Sequence, residues 1–131
     1  MNKESISIDQ LNKIRASKKG ISKYRNKRTQ ADGIWFDSKA ESMRYLYNKQ
    51  RIVTGQLGKQ ELQVAFELHA GIKYVCDFVE HYPDGRVEVV DVKGSLTDVF
   101  RLKKKLFEDK YAPTKIMCVK YKNKRWELLN V

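Results

Sequence analysis

The stretch Tyr74–Gly94, YVCDFVEHYPDGRVEVVDVKG, decides the fold. Two apolar runs flank a Pro-Asp-Gly turn, in which proline fits the first position and glycine the left-handed third position of a three-residue hairpin loop. The turn predicts two antiparallel strands, over residues 72–82 and 86–93. Because both strands are apolar on both faces, we expect other elements to cover each face of this hairpin.

The turn also determines which residues of the hairpin face each other. A three-residue loop places Asp77 directly opposite Asp91, and Lys93 projects from the same face two residues further along. A two-residue Asp-Gly turn is the alternative, and it would put the two aspartates on opposite faces. The proline favours the three-residue loop.

Two opposed carboxylates in an apolar hairpin repel each other and are costly to remove from water. A divalent cation would resolve this, and Mg²⁺ is commonly held by one or two carboxylates, waters and substrate phosphates. Glu41, in the first turn of a helix expected beside the hairpin, could complete the site, although a capping box with Ser38 also explains it. The alternative is that Lys93 neutralises one aspartate and a helix donor satisfies the other.

The remaining elements follow the order α-β-β-β-α-β, with one more strand at the end. Periodicity predicts helices over residues 38–54 and 97–111, and strands over residues 61–68, 115–121 and 126–129. One helix precedes the hairpin and one follows it, so the two can cover its two faces. We therefore expect an α/β fold of the mixed α+β kind, a central sheet flanked by helices, in a domain over residues 34–131.

Residues 1–33 are expected to form an N-terminal helical and basic arm. A short helix signal within residues 1–20 fits a dimer arm, a DNA contact or a lid on the core. Residues 21–33 lack periodicity and form either a basic arm that follows phosphates, with an aromatic ring free to stack on a base, or a solvated linker. The candidate DNA contacts are Lys23, Tyr24, Arg25, Lys27 and Arg28, together with Arg44 and Lys103 on the helices.

Lys103 lies on the apolar stripe of the second helix. It could reach the candidate site or a phosphate, or its stem could pack while its ammonium reaches water.

The bulk composition favours a nucleic-acid partner. The 131 residues include 27 Lys and Arg against 16 Asp and Glu, a net charge of +11. Such a surplus indicates a polyanionic partner or, alternatively, a solubilising surface. Cys76 and Cys118 lie in apolar runs without metal-ligand spacing, so we expect buried thiols in a reducing compartment. With no signal-peptide pattern and no membrane-length apolar run, we expect a soluble cytoplasmic protein that does not enter a membrane.

The pattern Asp77, Asp91-x-Lys93, with a helical Glu41 and this element order, resembles the PD-(D/E)XK nuclease superfamily and its restriction-endonuclease-like core. The segments FDSKAES, VCDF and VVDVKG are similar to those of small phage-encoded members, relatives of Holliday junction resolvases. The resemblance covers residues 34–121. It departs from the superfamily's name at Cys76, which stands where that name has proline.

The resemblance implies an endonuclease that uses Mg²⁺, or Mn²⁺ in its place, to hydrolyse phosphodiester bonds of branched or junction DNA in phage recombination or replication. Asp77 and Asp91 would bind the metal with the backbone carbonyl of Val92. Glu41 would be a direct or outer metal carboxylate, and Lys93 would orient the attacking water. A homodimer is implied by analogy.

Two other functions remain open. One is a DNA-binding module that keeps the fold without the chemistry. The other is a nuclease subunit that is active only within a larger recombination complex.

Overall fold

The computed structural model describes residues 27–129 and the backbone of residues 3–4. In chain order the elements are β1 (Lys3–Glu4), β2 (Thr29–Ala31), β3 (Ile34–Phe36), α1 (Lys39–Val53), β4 (Lys59–Glu67), a 3-10 turn (His69–Gly71), β5 (Lys73–His81), β6 (Val87–Val92), α2 (Asp98–Lys110), β7 (Ile116–Lys122) and β8 (Arg125–Leu128). The mixed α/β class is confirmed. The predicted helix within residues 1–20 lies outside the described residues.

The main sheet has the strand order β1-β4-β5-β6-β7-β8, and β2 pairs with β3 in a separate hairpin. All neighbours in the main sheet are antiparallel except β6 and β7, which are parallel. A parallel pair requires a crossover connection, and α2 supplies it. Every predicted strand and helix of residues 38–129 is present, with ends within two residues of the prediction.

Side-chain caps fix where both helices begin. The Ser38 hydroxyl accepts a hydrogen bond from the Glu41 amide at 3.2 Å, and the Thr97 hydroxyl accepts one from the Phe100 amide at 3.1 Å. Each hydroxyl satisfies one of the amides that a helix leaves free in its first turn. Both described helices therefore begin within one residue of the start that the sequence predicts.

The sheet separates two apolar layers. The larger layer lies against α2 and contains buried side chains of β4–β7, with Phe107 at its centre. The smaller layer includes Phe36, Phe78 and Val90, with Tyr45 of α1 packed against it. Both faces of the hairpin are thus covered by a helix, as predicted.

The side-chain alternation of β5 changes phase at Asp77. Cys76 and Val79 both lie in the α2 layer, whereas Phe78 lies in the α1 layer. Simple alternation would place Phe78 on the same face as Cys76, and the structure places it on the other. On the neighbouring strand Gln63 has φ +51° and is skipped by the β4–β5 pairing. The register is the same on both sides of this point, and Leu62 and Val64 also lie in different layers, so the two strands change face together at Gln63 and Asp77.

The β2–β3 hairpin precedes α1 and packs against it. Asp32 and Gly33, with φ +51° and +77°, form its two-residue turn. Ile34 is buried, and the Asp32 carboxylate accepts a hydrogen bond from Lys49 of α1. Residues 29–33 consequently pack with the domain, across the boundary that the sequence predicts between residues 33 and 34.

Both cysteines lie in the core of the domain. Cys76 and Cys118 are free and buried, as predicted, and burial raises the pKa of Cys76 to about 12 and that of Cys118 to about 11. Within residues 27–129, no helix is long and apolar enough to cross a membrane.

Candidate functional site

The hairpin turn adopts the three-residue form. The Tyr82 amide donates to the Arg86 carbonyl at 2.8 Å, the Gly85 amide donates to the Tyr82 carbonyl at 3.0 Å, and Gly85 has φ +91°. Only glycine takes that backbone conformation without strain. The predicted turn register is therefore confirmed, and Phe78 opposite Val90 is the last regular pair before Asp77 and Asp91.

The two strands separate at this pair of aspartates. Regular β5–β6 pairing ends at Phe78 and Val90, while β6 continues along β7 as far as Val92. The Val92 amide donates to Oδ2 of Asp77 at 2.9 Å. The carboxylate of Asp77 thus takes the place of a backbone acceptor where the ladder opens.

Asp91 is the buried acid of the site, with 2% of its surface exposed. Its Oδ2 accepts a hydrogen bond from the Tyr74 hydroxyl, and its Oδ1 lies 3.4 Å from Nζ of Lys93. Burial raises the pKa of Asp91 to about 6, although the nearby Lys93 acts to lower it. Tyr74 is a site residue that the sequence prediction missed, since only the folded register reveals its reach to Asp91.

Lys93 connects the buried acid to solvent. Its side chain is 24% exposed, and Nζ lies 4.0 Å from the ring centroid of Phe100 on α2. A cation over a ring face is attracted by the ring's quadrupole, so Phe100 restricts where the ammonium can go. Lys93 thus pairs with Asp91, as in the alternative to a metal site, whereas the donors to Asp77 come from strands and not from a helix.

Gln63 supports Asp77 from the neighbouring strand. Its Nε2 donates to Oδ1 of Asp77 at 3.3 Å. A non-glycine residue with φ +51° inside a strand is unusual, and such strain clusters at functional sites. The sequence carries no signal for this irregularity, because glutamine is not among the residues that commonly adopt a positive φ.

Glu41 takes part in the helix cap. Its Oε1 accepts a hydrogen bond from the Ser38 hydroxyl at 3.3 Å, and the residue is half-buried. The other end of α1 reaches the hairpin turn, where Arg51 donates to the Tyr82 hydroxyl at 3.2 Å. The first turn of α1, with Glu41, therefore lies away from the hairpin turn.

The oxygen donors suit a hard divalent cation. Asp77 and Asp91 would supply two carboxylates, which is the usual protein share of a Mg²⁺ site, with waters and phosphate oxygens completing it. Across residues 27–129, no three side chains of His, Cys, Asp or Glu are grouped so that they could hold a metal. The donor chemistry therefore fits a cation shared with substrate, rather than one enclosed by described side chains alone.

Arg44 belongs to the interior and not to a DNA-contacting surface. It is 6% exposed, and its Nε and Nη2 donate to the two oxygens of Glu80 at 2.8 and 2.7 Å. Asn48 and Arg51 also donate to Glu80. Arg44, Asn48 and Arg51 are spaced to lie on one side of α1, a signal from which this buried cluster could have been predicted.

The other candidate DNA contacts are in different positions. Lys27 is exposed, whereas the guanidinium of Arg28 lies 5.4 Å over the Trp35 ring. Lys103 is half-buried on α2, one turn after Phe100. Lys23, Tyr24 and Arg25 lie outside the described residues.

The comparisons with known proteins give one match. The family model described as "Protein of unknown function (DUF1064)" matches residues 21–124, so the chain belongs to that family. No curated protein and no solved structure matches the chain.

Proposed function

We propose that this member of the DUF1064 family is a metal-dependent DNA endonuclease acting on branched or junction DNA. The observation that carries the proposal is the buried Asp91 beside a half-buried Lys93, with the Asp77 carboxylate on the Val92 amide just beyond the last β5–β6 pair. A carboxylate pair and a cation at the end of a hairpin suit phosphodiester hydrolysis. The net charge of +11 adds support for a polyanionic substrate.

Asp77 and Asp91 would hold the cation, with the backbone carbonyl of Val92 as a further ligand. A bound Mg²⁺ supplies an acidified water and offsets charge on the phosphate. Tyr74 fixes the orientation of the Asp91 carboxylate through its hydroxyl. Lys93 would orient the attacking water and place positive charge where negative charge develops.

A specific observation favours a second candidate, a DNA-binding module without chemistry. Each oxygen of the two carboxylates already has a partner within the protein: Lys93 and Tyr74 for Asp91, Gln63 and the Val92 amide for Asp77. Such a site can be satisfied without a metal. This candidate predicts DNA binding that depends on salt and produces no cleavage with any divalent cation.

Cleavage assays on junction, linear duplex and single-stranded DNA, with Mg²⁺, Mn²⁺ or EDTA, test the proposal. We expect metal-dependent cleavage that falls by roughly 10²-fold or more in Lys93→Ala and Asp91→Ala, since each removes a charge from the reacting centre. Lys105→Ala, an exposed lysine on α2, is the matched control and should retain activity. Circular dichroism establishes that each variant is folded.

Two results would contradict the endonuclease. Activity retained in both site variants would show that the cleavage arises elsewhere. Salt-dependent binding with no cleavage of any of the three substrates would favour the binding module instead.

A further inference from the structure

A groove lies on the α1 side of the sheet, between α1 and the β7–β8 hairpin. Its volume is about 450 Å³, within the range of roughly 300–1,000 Å³ that is typical of small-ligand sites. The lining combines apolar, aromatic and basic side chains: Leu46, Tyr47, Tyr121, Lys124, Arg125 and Trp126.

Aromatic rings form the walls of this groove. Tyr121 and Trp126 pair directly across β7 and β8, and their ring centroids are 5.1 Å apart. Tyr47 of α1 lies 6.2 Å from Trp126 and is 40% exposed. The guanidinium of Arg44 lies 5.1 Å over the Trp126 ring, which holds that ring in place. The walls are therefore flat, partly exposed and already positioned.

Cations lie at the rim. Asn123 and Lys124 form the β7–β8 turn with φ +53° and +62°, and Lys124 and Arg125 are exposed. A turn of this type favours glycine at its second position, so lysine is an unfavourable choice for stability alone. Nε of Arg125 lies 3.9 Å from Oε1 of Glu127, a weak exposed pair that leaves the rim positive.

The groove lies at the same end of the sheet as the candidate active site. Val92 of β6 pairs with Val119 of the parallel β7, and the Lys93 amide donates to the Val119 carbonyl. Tyr121 is two residues further along β7, which is about 7 Å. Lys93 lies against Phe100 on the α2 face and the groove lies on the α1 face, so a nucleic-acid strand that passes around the strand ends would meet both.

We propose that the groove binds an unpaired nucleobase of the DNA substrate. The base lies among Tyr47, Tyr121 and Trp126, and its phosphate contacts Lys124 and Arg125. Aromatic walls with cations at the rim are the arrangement by which proteins hold single strands without sequence preference. This inference rests on the proposed function for its ligand class, DNA, and it adds a preference for DNA with unpaired residues.

Trp126 serves as the probe. The chain has two tryptophans, so Trp35→Phe leaves Trp126 as the only one. Asp91→Asn is added and divalent metal omitted, so that DNA is not cut. The titrants are an oligothymidylate, an abasic strand of equal length and a duplex of equal length. We expect the oligothymidylate to quench Trp126 and to bind roughly tenfold more tightly than the abasic strand.

Variants of α1 locate the effect. Tyr47→Ala, in the groove, should abolish the preference for bases over abasic sites. Val53→Ala, on the same helix, 84% exposed and outside the groove, should retain it. Leu46→Ser provides a second groove variant if Tyr47→Ala does not fold, and it should also reduce the preference.

Three outcomes would overturn the inference. They are equal affinity for the thymidylate and abasic strands, an unchanged preference in the groove variants, or a dimer that Tyr47→Ala dissociates in sedimentation experiments, which would make a second copy the occupant. The titration needs no cleavage, so a chain that binds bases but never cuts DNA would refute the endonuclease and leave this inference standing.

Discussion

At the scale of single residues, the buried carboxylate of Asp91 makes the stability of the protein depend on pH. Its carboxylate is buried, beside the Tyr74 hydroxyl and the Lys93 ammonium. Water is the better solvent for the charged form, and one ion pair does not fully replace it. The raised pKa of Asp91 expresses this imbalance.

The free energy of unfolding of Asp91→Asn should rise relative to that of the unchanged protein as the pH rises. The pKa of Asp91 is 3.8 when unperturbed and about 6 when folded. The carboxyl group's contribution is therefore fully present below pH 4 and is lost as pH rises through 6. The lost contribution is about 3 kcal/mol. Urea unfolding of both proteins at pH 4 and pH 8 measures it.

Asp84→Asn, at an exposed turn position, is the control for this measurement and should show a much smaller change with pH. A free-energy difference between Asp91→Asn and the unchanged protein that is the same at pH 4 and pH 8 would contradict the assignment.

At the scale of elements, buried charge fastens α1 to the hairpin. Glu80 is fully buried in β5 and accepts hydrogen bonds from Arg44, Asn48 and Arg51. Removing Arg44 would leave the buried Glu80 carboxylate with fewer donors than a charge in the interior needs, only Arg51 and Asn48. The position of α1, and with it Glu41 and the groove, therefore depends on this cluster.

Arg44→Ala should destabilise the protein by about 3–5 kcal/mol, because it strips a bidentate partner from a buried carboxylate. Thermal and urea unfolding measure the loss. Lys49→Ala is the matched control on the same helix, since it removes an exposed partner of Asp32 and should change stability much less. Equal losses in the two variants would mean that Glu80 is not held by Arg44.

Lys124→Gly should stabilise the β7–β8 turn by about 1 kcal/mol, because glycine adopts a positive φ without the cost that lysine bears. The same variant should weaken binding of single-stranded DNA. Lys122→Gly, in the adjacent strand position, should instead destabilise the protein by about 1 kcal/mol. A lower melting temperature for Lys124→Gly would contradict the strain assigned to this turn.

Local turn chemistry explains what the sequence predicts well. The Pro-Asp-Gly turn defines the hairpin register, and the caps and apolar stripes define both helices. The shift at Asp77 could not be predicted, because it depends on Gln63 of a neighbouring strand adopting a positive φ. Asp32-Gly33, by contrast, is a recognisable two-residue turn, so the β2–β3 hairpin could have been predicted from it.

Non-local contacts explain the rest of what was missed at the site. Tyr74 and Asp91 are distant in sequence, and only the folded sheet brings the hydroxyl to the carboxylate. Arginine is usually exposed, but Arg44 is buried because it pairs with the buried Glu80. Periodicity shows which positions share a side of a helix. It does not show which charged residue of a neighbouring strand will face them.

At the scale of the whole molecule, the net charge of +11 should govern affinity for DNA. The logarithm of the binding constant should fall linearly with the logarithm of salt concentration, by about 0.9 per phosphate contacted on duplex DNA. Lys124→Ala should reduce the slope by about one if the lysine contacts a phosphate. Fluorescence anisotropy between 50 and 200 mM salt, the range of the general rule, measures it.

Lys59→Ala provides the control for the salt dependence. Lys59 is exposed and pairs in register with His81, at the turn end of the hairpin and away from the groove. Its removal should leave the slope unchanged. If the salt slope fell equally in Lys124→Ala and Lys59→Ala, the overall positive charge, and not a contact of Lys124 with a phosphate, would account for the binding.

The parallel pairing of β6 with β7 bears on when, during folding, the candidate site forms. β5 and β6 meet across a three-residue turn and can pair within microseconds, whereas β7 reaches β6 only after the crossover through α2 has closed. We expect Asp91 to keep its hydration shell until that docking, so that dehydration of the acid follows the main folding barrier. Stopped-flow measurements at pH 8 should show Asp91→Asn slowing unfolding while refolding stays nearly unchanged, and a faster refolding rate of equal size would place the dehydration before the barrier.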